Sequence, residues 1–329
     1  MTAKIDLHSH YLPQAYREAL LQFCGPHPDG FPTPAWSPDI HLETMDDLGI
    51  AASILSLSSP HIHFGDSSAA RDLARIANEE GAELVRKYPG KFGLLASLPL
   101  PDIPYSIAEI QYALDVLHAD GFTLPTNVLG VYLGNPGLED IFAELNNRKA
   151  IVTLHPNKPG LVPEHVAEAL PIPMMEFFFD TTRTVMNLIL TGTLNRFPDI
   201  QFIVPHAGAF LPVLADRIAP ALQMMPSAFG GHMENTAVDM YAALRGLYYD
   251  LAGACLPRQL ANLLPLAGAE HLMYGSDYPY TPGLACKSLA DDLDRTDLLT
   301  DGQRRQIYSD NALRLFPNIA PDKNGKLIK

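Results

Sequence analysis

The chain has 329 residues, of which 47% are hydrophobic and 18% charged, and its net charge at pH 7 is −14. This length suits one barrel-sized domain or two average ones, and the negative charge disfavours non-specific binding to nucleic acid or anionic membranes. No apolar run reaches the length of a membrane span, the three cysteines are far apart, and the first strand begins too early for a secretory signal. We therefore expect a cytoplasmic protein with reduced thiols.

The first predicted strand is Lys4-Ile-Asp-Leu-His-Ser-His10. His8 and His10 stand two residues apart at its carboxyl end, a spacing that points both side chains to the same face of a strand. The next segment, 11–38, has a helical part at 14–23 and then many prolines and glycines. An irregular insertion of this length directly after the first strand is typical of a functional loop, so we predict a lid.

Apolar runs and amphipathic stretches then alternate along the rest of the chain. Later strands are predicted at 50–57, 92–98, 128–133, 150–154, 201–204, 247–251 and 271–274. Helices are predicted at 40–48, 69–88, 103–119, 138–147, 182–197, 257–266, 284–293 and 301–315. Eight strands that alternate with helices predict a single-domain (β/α)₈ TIM barrel over 1–329. The alternative, a doubly wound open sheet, requires a glycine-rich phosphate turn after the first strand, where this chain has His-Ser-His.

Histidine and aspartate side chains end four of the predicted strands. His8 and His10 end the first, His155 the fifth, His206 the sixth and Asp277 the eighth. Active sites of such barrels form at the carboxyl ends of the strands, so these groups are expected to meet. The pattern predicts a metal site.

We assign His8, His10, His155 and Asp277 as metal ligands and leave His206 as an unligated acid or base. Imidazole and carboxylate ligands favour Zn²⁺, with Mn²⁺, Fe²⁺ or Co²⁺ as alternatives. A two-metal site often has a bridging Lys or Glu at the end of strand four. The predicted fourth strand ends at residues 131–134 without either, so we predict one divalent ion.

Several stretches resemble the amidohydrolase superfamily, and within it the aminocarboxymuconate-semialdehyde decarboxylase group. Beside the histidines and aspartate above, the resemblance rests on residues 179–182, 192–198, 204–212, 216–218, 274–279 and 310–316. It implies a non-oxidative decarboxylase, or a close hydrolase or hydratase relative, with one divalent metal and with His206 in acid/base chemistry. For decarboxylation, we expect His206 or Asp277 to protonate the carbon that bears the carboxylate. In that group an arginine matching Arg217 binds the substrate carboxylate of a neighbouring subunit, which implies a homodimer or higher homo-oligomer.

One departure from that group bears on the substrate. The group has a further arginine before the Met-Asp of the second helix, where this chain has His41 and Glu43 before Met45 and Asp46. Loss of this arginine favours an aromatic monocarboxylic acid, such as a salicylate-like phenol, over a muconate-type dicarboxylate. The same ligands would also suit a metal-dependent hydrolase of an ester, lactone or amide, and a silent binding protein is the third alternative.

Four further residues are candidates for substrate contact. Phe179 is the preferred pocket residue of the run Phe177-Phe-Phe179, although such runs more often lie in cores. Trp36 is expected either to close over substrate or to pin the insertion to the body, and His63, from a second His-x-His, to contact substrate. Arg217 also suits an ordinary surface ion pair, and Asp180 is expected to orient a histidine or cap a helix.

Overall fold

A computed structural model describes residues 3–224 and 238–319. Eight parallel strands form one sheet in the order β1-β2-β3-β4-β7-β8-β9-β10, and β5 pairs antiparallel with β6 outside it. The strands are β1 (Lys4–His10), β2 (Ile50–Ser56), β3 (Phe92–Ser97), β4 (Gly121–Pro125), β5 (Asn127–Val128), β6 (Val131–Tyr132), β7 (Ile151–His155), β8 (Gln201–Val204), β9 (Tyr248–Asp250) and β10 (Leu272–Met273).

The sheet curls until its first and last strands meet. Backbone bonds join Leu7 N to Tyr274 O at 3.0 Å and Asp277 N to His8 O at 2.7 Å, across the seam between β1 and the segment after β10. These bonds confirm the predicted (β/α)₈ TIM barrel. They also bring the first and last predicted ligand segments side by side.

Helices surround the barrel. They are α1 (Gln14–Cys24), α2 (Pro38–Leu48), α3 (Ser67–Lys87), α4 (Ile103–Asp115), α5 (Glu139–Asn147), α6 (Ile172–Leu190), α7 (Thr193–Arg196), α8 (Leu211–Met224), α9 (Met240–Arg245), α10 (Gln259–Ala267), α11 (Gly283–Arg295), α12 (Asp301–Arg305) and α13 (Asn311–Leu315). In the described ranges, no helix combines the length and apolarity needed to cross a membrane.

Local sequence sets where these elements begin and end. Helix α2 begins after Ser37, whose side chain accepts a hydrogen bond from Ile40 N, and ends at Gly49, which adopts the left-handed conformation at φ 66°. Both are the end signals that sequence predicts for a helix. The interior of the barrel is filled by aliphatic side chains such as Ile54, Leu95 and Ile203, which are buried together.

The prediction of strand four was wrong. Gly121–Pro125 forms that strand, and the predicted segment 128–133 instead contributes to the β5–β6 hairpin. Gly and Pro at its two ends mask β4 in the sequence, since both residues are depleted in strands. The correct strand also ends without Lys or Glu, so the reasoning for one metal ion still applies.

The helix predicted at 182–197 begins ten residues earlier, at Ile172, and a break at Thr191 and Gly192 separates α6 from α7. Pro173 occupies the first turn of α6, a position where proline is favoured. Asp180 is therefore buried inside the helix and is not its cap, and it bonds to no histidine within residues 3–224 and 238–319. Its carboxylate accepts hydrogen bonds from Thr126, Asn127 and Tyr132, which hold the hairpin against α6.

Candidate metal centre

The two histidines of β1 both present Nε2 to the mouth of the barrel because their Nδ1 atoms are occupied. His8 Nδ1 lies 2.9 Å from Oδ2 of Asp250, at the end of β9. His10 Nδ1 lies 3.1 Å from the Ser56 hydroxyl and 3.3 Å from the Ser56 carbonyl oxygen. Partners of this kind fix the ring orientation and leave the other nitrogen to bind a metal.

His155, at the end of β7, and Asp277, in the segment beside β1, complete the group. His155 Nδ1 lies 2.8 Å from the carbonyl oxygen of Pro156, which again turns Nε2 inward. Asp277, at a left-handed φ of 60°, places Oδ1 3.2 Å from His10 Nε2 and 3.5 Å from His8 Nε2. Its other oxygen, Oδ2, accepts a hydrogen bond from the Thr281 hydroxyl at 3.1 Å.

These four residues fit a divalent ion. One ligand atom from each of His8, His10, His155 and Asp277 lies within 4.8 Å of the others. Small shifts of these side chains would let all four atoms bind one ion at about 2.1 Å. The buried His8 Nε2 makes no hydrogen bond to the described residues, although burial without a partner is unfavourable. Three imidazoles with a carboxylate are a donor set that suits Zn²⁺ or Mn²⁺.

Burial and neighbouring carboxylates set the charge of this centre. Burial disfavours the imidazolium form of His8, but Asp250 and Asp277 outweigh it and raise its pKa to about 9. Burial lowers the pKa values of His10 and His155. Burial disfavours the ionised form of Asp277, but the hydrogen bond with His10 and the charge of His8 outweigh this effect. The pKa of Asp277 therefore lies below the ordinary value. A bound cation would replace the proton of His8, because a metal ligand must be unprotonated.

His206 stands beside the four ligands without joining them. Its ring lies 5.0 Å from that of His8 and stacks on Phe178, with centroids 5.8 Å apart and planes 25° apart. Its backbone N–H donates to Asp250 Oδ1 at 3.0 Å, so one aspartate positions both histidines. Burial, followed by the charge of His8, lowers the pKa of His206 to about 4.

A cavity of about 370 Å³ opens over the ligands. Aromatic and aliphatic side chains dominate its wall, with His155, His206 and Asp277 on one side and Pro28, Asp29 and Phe31 of the insertion on another; Met174, Phe177, Phe178, Tyr280 and Leu289 also line it. Its described lining includes neither Lys nor Arg. The cavity therefore suits a small, mostly apolar molecule with one anionic group held at the metal position.

Comparison with known proteins identifies the family. An amidohydrolase family model matches residues 5–317. The 6-methylsalicylic acid decarboxylase of Aspergillus aculeatus is 35% identical over 96% of this chain and 96% of its own length. Decarboxylase yanB of Aspergillus niger is 35% identical over 96% of this chain and 88% of its own. The crystal structure of an amidohydrolase II is 45% identical, with a TM-score of 0.90 over 96% of this chain and 100% of the other.

The chain belongs to the amidohydrolase family. Its similarity to the two fungal decarboxylases confirms the predicted resemblance to the decarboxylase group of that superfamily.

The predicted contact residues of this amidohydrolase lie in different places. Phe179 was the predicted pocket residue, but it lies outside the cavity, where it is 38% exposed and packs on Phe210. Its neighbours Phe177 and Phe178 face the cavity instead. These phenylalanines lie inside α6, where successive side chains point about 100° apart, so the three cannot all face the cavity. The predicted helix began after them and did not show this.

Trp36 also lies away from the metal cavity. Its indole N–H donates to His41 Nδ1 of α2 at 3.0 Å, and it borders an open groove beside α1 and α3, which favours the prediction that it pins the insertion to the body. His63 faces a second cavity and Arg217 is exposed on α8, neither of them on the wall of the metal cavity. The roles of His63 and Arg217 in substrate binding stay predictions.

Two aspartates at the centre were missed by sequence reasoning. Asp250 orients His8, as described above. Asp6 is buried and accepts hydrogen bonds from His8 N at 3.1 Å, Ser276 N at 3.0 Å and the Ser276 hydroxyl at 2.5 Å, which ties β1 to the segment that carries Asp277. Burial raises the pKa of Asp6 to about 7. The sequence did contain a signal for each of them. Asp250 ends an apolar strand, and Asp6 stands two residues before His8.

Proposed function

We propose that this amidohydrolase is a metal-dependent, non-oxidative decarboxylase of a small aromatic acid with a hydroxyl group next to its carboxylate. The observation that carries the proposal is the convergence of His8, His10, His155 and Asp277 at the base of an aromatic cavity. The names of its fungal relatives support the reaction class, and that of the Aspergillus aculeatus enzyme supports the substrate class.

The four convergent residues would hold one ion, with Zn²⁺ as the favoured metal and Mn²⁺ as the alternative. When bound, the ion supplies a positive charge that binds the carboxylate and adjacent hydroxyl oxygen and stabilises negative charge in the transition state. Asp250 and Ser56 then keep His8 and His10 turned toward it.

His206 is the residue that we propose delivers the proton. Its ring lies on the cavity wall outside the ligand group, whereas both oxygens of Asp277 are engaged, by His10 and Thr281. A substrate anion beside the ring would raise the low pKa of His206, since a nearby negative charge favours imidazolium. The proton adds to the ring carbon that bears the carboxylate. The bond to the carboxylate then breaks, its electron pair restores the aromatic ring, and CO2 leaves.

The cavity wall favours a monocarboxylate. A second carboxylate would find no Lys or Arg among the described lining residues and would face the carboxylate of Asp29. Phe177 and Phe178 offer flat apolar surfaces to an aromatic ring and an alkyl substituent.

The experiment is a measurement of CO2 released from 6-methylsalicylate and other hydroxybenzoates by the metal-loaded protein. We expect CO2 and a phenol in equal amounts, with much slower turnover of a dicarboxylate. Hydrolysis of lactones or esters without CO2 from any aromatic acid would contradict the proposal and favour the hydrolase alternative.

We also propose that Arg217 binds the substrate carboxylate in a neighbouring subunit, which would make the protein a homodimer or higher oligomer. Its exposure on α8 supports this proposal, because the side chain is free to cross a subunit boundary. The lid role of residues 11–38 is supported by Pro28, Asp29 and Phe31 on the cavity wall. The cytoplasmic location stays a prediction from the sequence.

A further inference from the structure

A second cavity, of about 570 Å³, lies at the same end of the barrel, beside the cavity over the metal ligands. It is bounded by the ends of β3 and β4 and by the loop after β2. Pro28 and Asp29 border both cavities, and the ring of His61 in its wall lies 5.2 Å from the ring of His155. The two cavities are therefore neighbours separated by a pair of imidazoles.

Three polar side chains in its wall are buried without partners. Ser97 and Thr123 are 3% and 0% exposed, and their hydroxyl oxygens make no hydrogen bond to the described residues. His61 is 3% exposed, and neither of its ring nitrogens has a partner there. Buried polar groups are hydrogen-bonded in the great majority of cases, so three such groups on one cavity wall indicate a place for a polar ligand atom.

The register of the strands places two of these groups together. Ser97 pairs with Thr123 across β3 and β4, so their side chains leave the sheet on the same side as neighbours. Thr123 pairs in turn with Thr153 on β7, whose hydroxyl is also without a partner among the described residues but does not line the cavity. Thr153 thus offers a matched control.

The rest of the wall defines the body and the charge of the ligand. Leu98, Leu100 and Val128 give it an apolar surface. Lys158 borders the cavity with an exposed side chain, while the Asp29 carboxylate accepts a hydrogen bond from Ser59 at 2.6 Å. Lys158 and Asp29 bring opposite charges to the border, and the buried groups of the wall are hydroxyls and an imidazole. A neutral oxygen on an apolar molecule therefore fits better than an anion.

We propose that this cavity binds a neutral phenol, with the phenolic hydroxyl among Ser97, Thr123 and His61. The choice of phenol rests on the proposed function, because loss of CO2 from a hydroxybenzoic acid leaves a phenol in the adjacent cavity. The cavity would then be a second site for the product.

The test is the binding of 3-methylphenol to the metal-loaded protein, measured by calorimetry for the wild type, Thr123→Val, Ser97→Ala and Thr153→Val. Loss of one hydroxyl partner should weaken binding about three- to tenfold in Thr123→Val and Ser97→Ala. Thr153→Val should bind as the wild type does. Toluene, which lacks the hydroxyl, should bind the wild type and Thr123→Val equally.

Equal affinity of the wild type, Thr123→Val and Ser97→Ala for 3-methylphenol would overturn the proposal, as would equal weakening in Thr153→Val. Ser97→Ala decides the matter if Thr123→Val fails to fold, which thermal melting reveals. CO2 release by the wild type is scored separately. Absence of CO2 with the expected phenol binding would refute only the proposed function, and CO2 release with unchanged phenol binding would refute only this second site.

Discussion

Asp250 has more influence on the metal centre than its position outside the ligand group suggests. One carboxylate oxygen holds His8 Nδ1 at 2.9 Å, and the other accepts from the backbone of His206 at 3.0 Å. The same side chain therefore orients a metal ligand and the proposed proton donor. Sequence reasoning found the two histidines but not this link, because the aspartate lies 242 positions from His8 along the chain.

We predict that Asp250→Asn weakens metal binding about 10- to 100-fold, the usual loss when a partner of a metal-ligating histidine is changed. The amide can present its NH₂ to His8 and no longer compensates the charge of the metal-bound ring. Metal affinity is measured by competition with a chelator. Asp216→Asn, which changes the partner of Tyr241 on the surface, is the control, and equal affinities for both variants would contradict the role of Asp250.

Phe178 and Phe179 give a matched pair of adjacent aromatic residues. Phe178 lines the cavity and stacks on His206, whereas Phe179 packs on Phe210 outside it. We predict that Phe178→Ala lowers kcat/KM for a hydroxybenzoate about five- to tenfold, since a lost aromatic contact costs about 1 to 1.4 kcal/mol. Phe179→Ala should stay within about twofold of the wild type. The reverse order in steady-state kinetics would place the substrate elsewhere.

At the scale of elements, the boundaries that sequence could predict were those with a chemical signal. Gly49 ends α2 as predicted because a left-handed residue there favours glycine. The fourth strand could not be predicted, because Gly121 and Pro125 oppose strand structure locally and tertiary pairing with β3 and β7 overrides them. The start of α6 was missed because Asp180 imitates a helix cap while it binds the β5–β6 hairpin.

Helix α8 carries the proposed contact between subunits. We predict that Arg217→Ala raises KM for a hydroxybenzoate about tenfold or more while metal content stays unchanged, because a charge-assisted hydrogen bond to a carboxylate is lost. Arg245→Ala, a change at another exposed arginine, is the control. A monomeric wild type in analytical ultracentrifugation, or equal KM values for both variants, would contradict the role of Arg217.

At the scale of the whole molecule, the barrel and the ligand group could be predicted together because strand ends and ligands coincide in the sequence. His8, His10, His155 and Asp277 each follow an apolar run, and closure of the sheet brings them within 4.8 Å. The contacts that orient them could not be predicted, since Ser56 and Asp250 become neighbours of His10 and His8 only through the closed barrel, as do Asp6 and Ser276 of each other.

Buried neutral histidines predict acid sensitivity of the fold. Burial, followed by the charge of His10, lowers the pKa of His41 to about 3. At a pH between about 6.5 and 3, His41 is protonated in the unfolded chain but stays neutral in the folded chain. The free energy of unfolding therefore falls as the pH falls from about 6.5 toward 3. His41 alone should contribute up to about 1.4 kcal/mol per pH unit in that window.

We therefore predict a shallower pH dependence of stability for His41→Gln, which keeps an acceptor for Trp36 and does not titrate. Unfolding in urea, followed by Trp36 fluorescence between about pH 5 and 7.5, measures the slope. The exposed His165, changed to Gln, is the control and should leave the slope as it is in the wild type. A slope for His41→Gln equal to that of the wild type would contradict the burial of a neutral ring.

The most direct test of the metal centre is elemental analysis of the purified protein after equilibration with Zn²⁺ or Mn²⁺ and removal of free ions. The structure predicts one ion per chain for the wild type and for the surface variant Asp216→Asn. It predicts loss of that ion in His155→Ala and in Asp277→Ala, together with loss of CO2 release. A wild type without a bound ion, or one ion per chain in both ligand variants, would contradict the account.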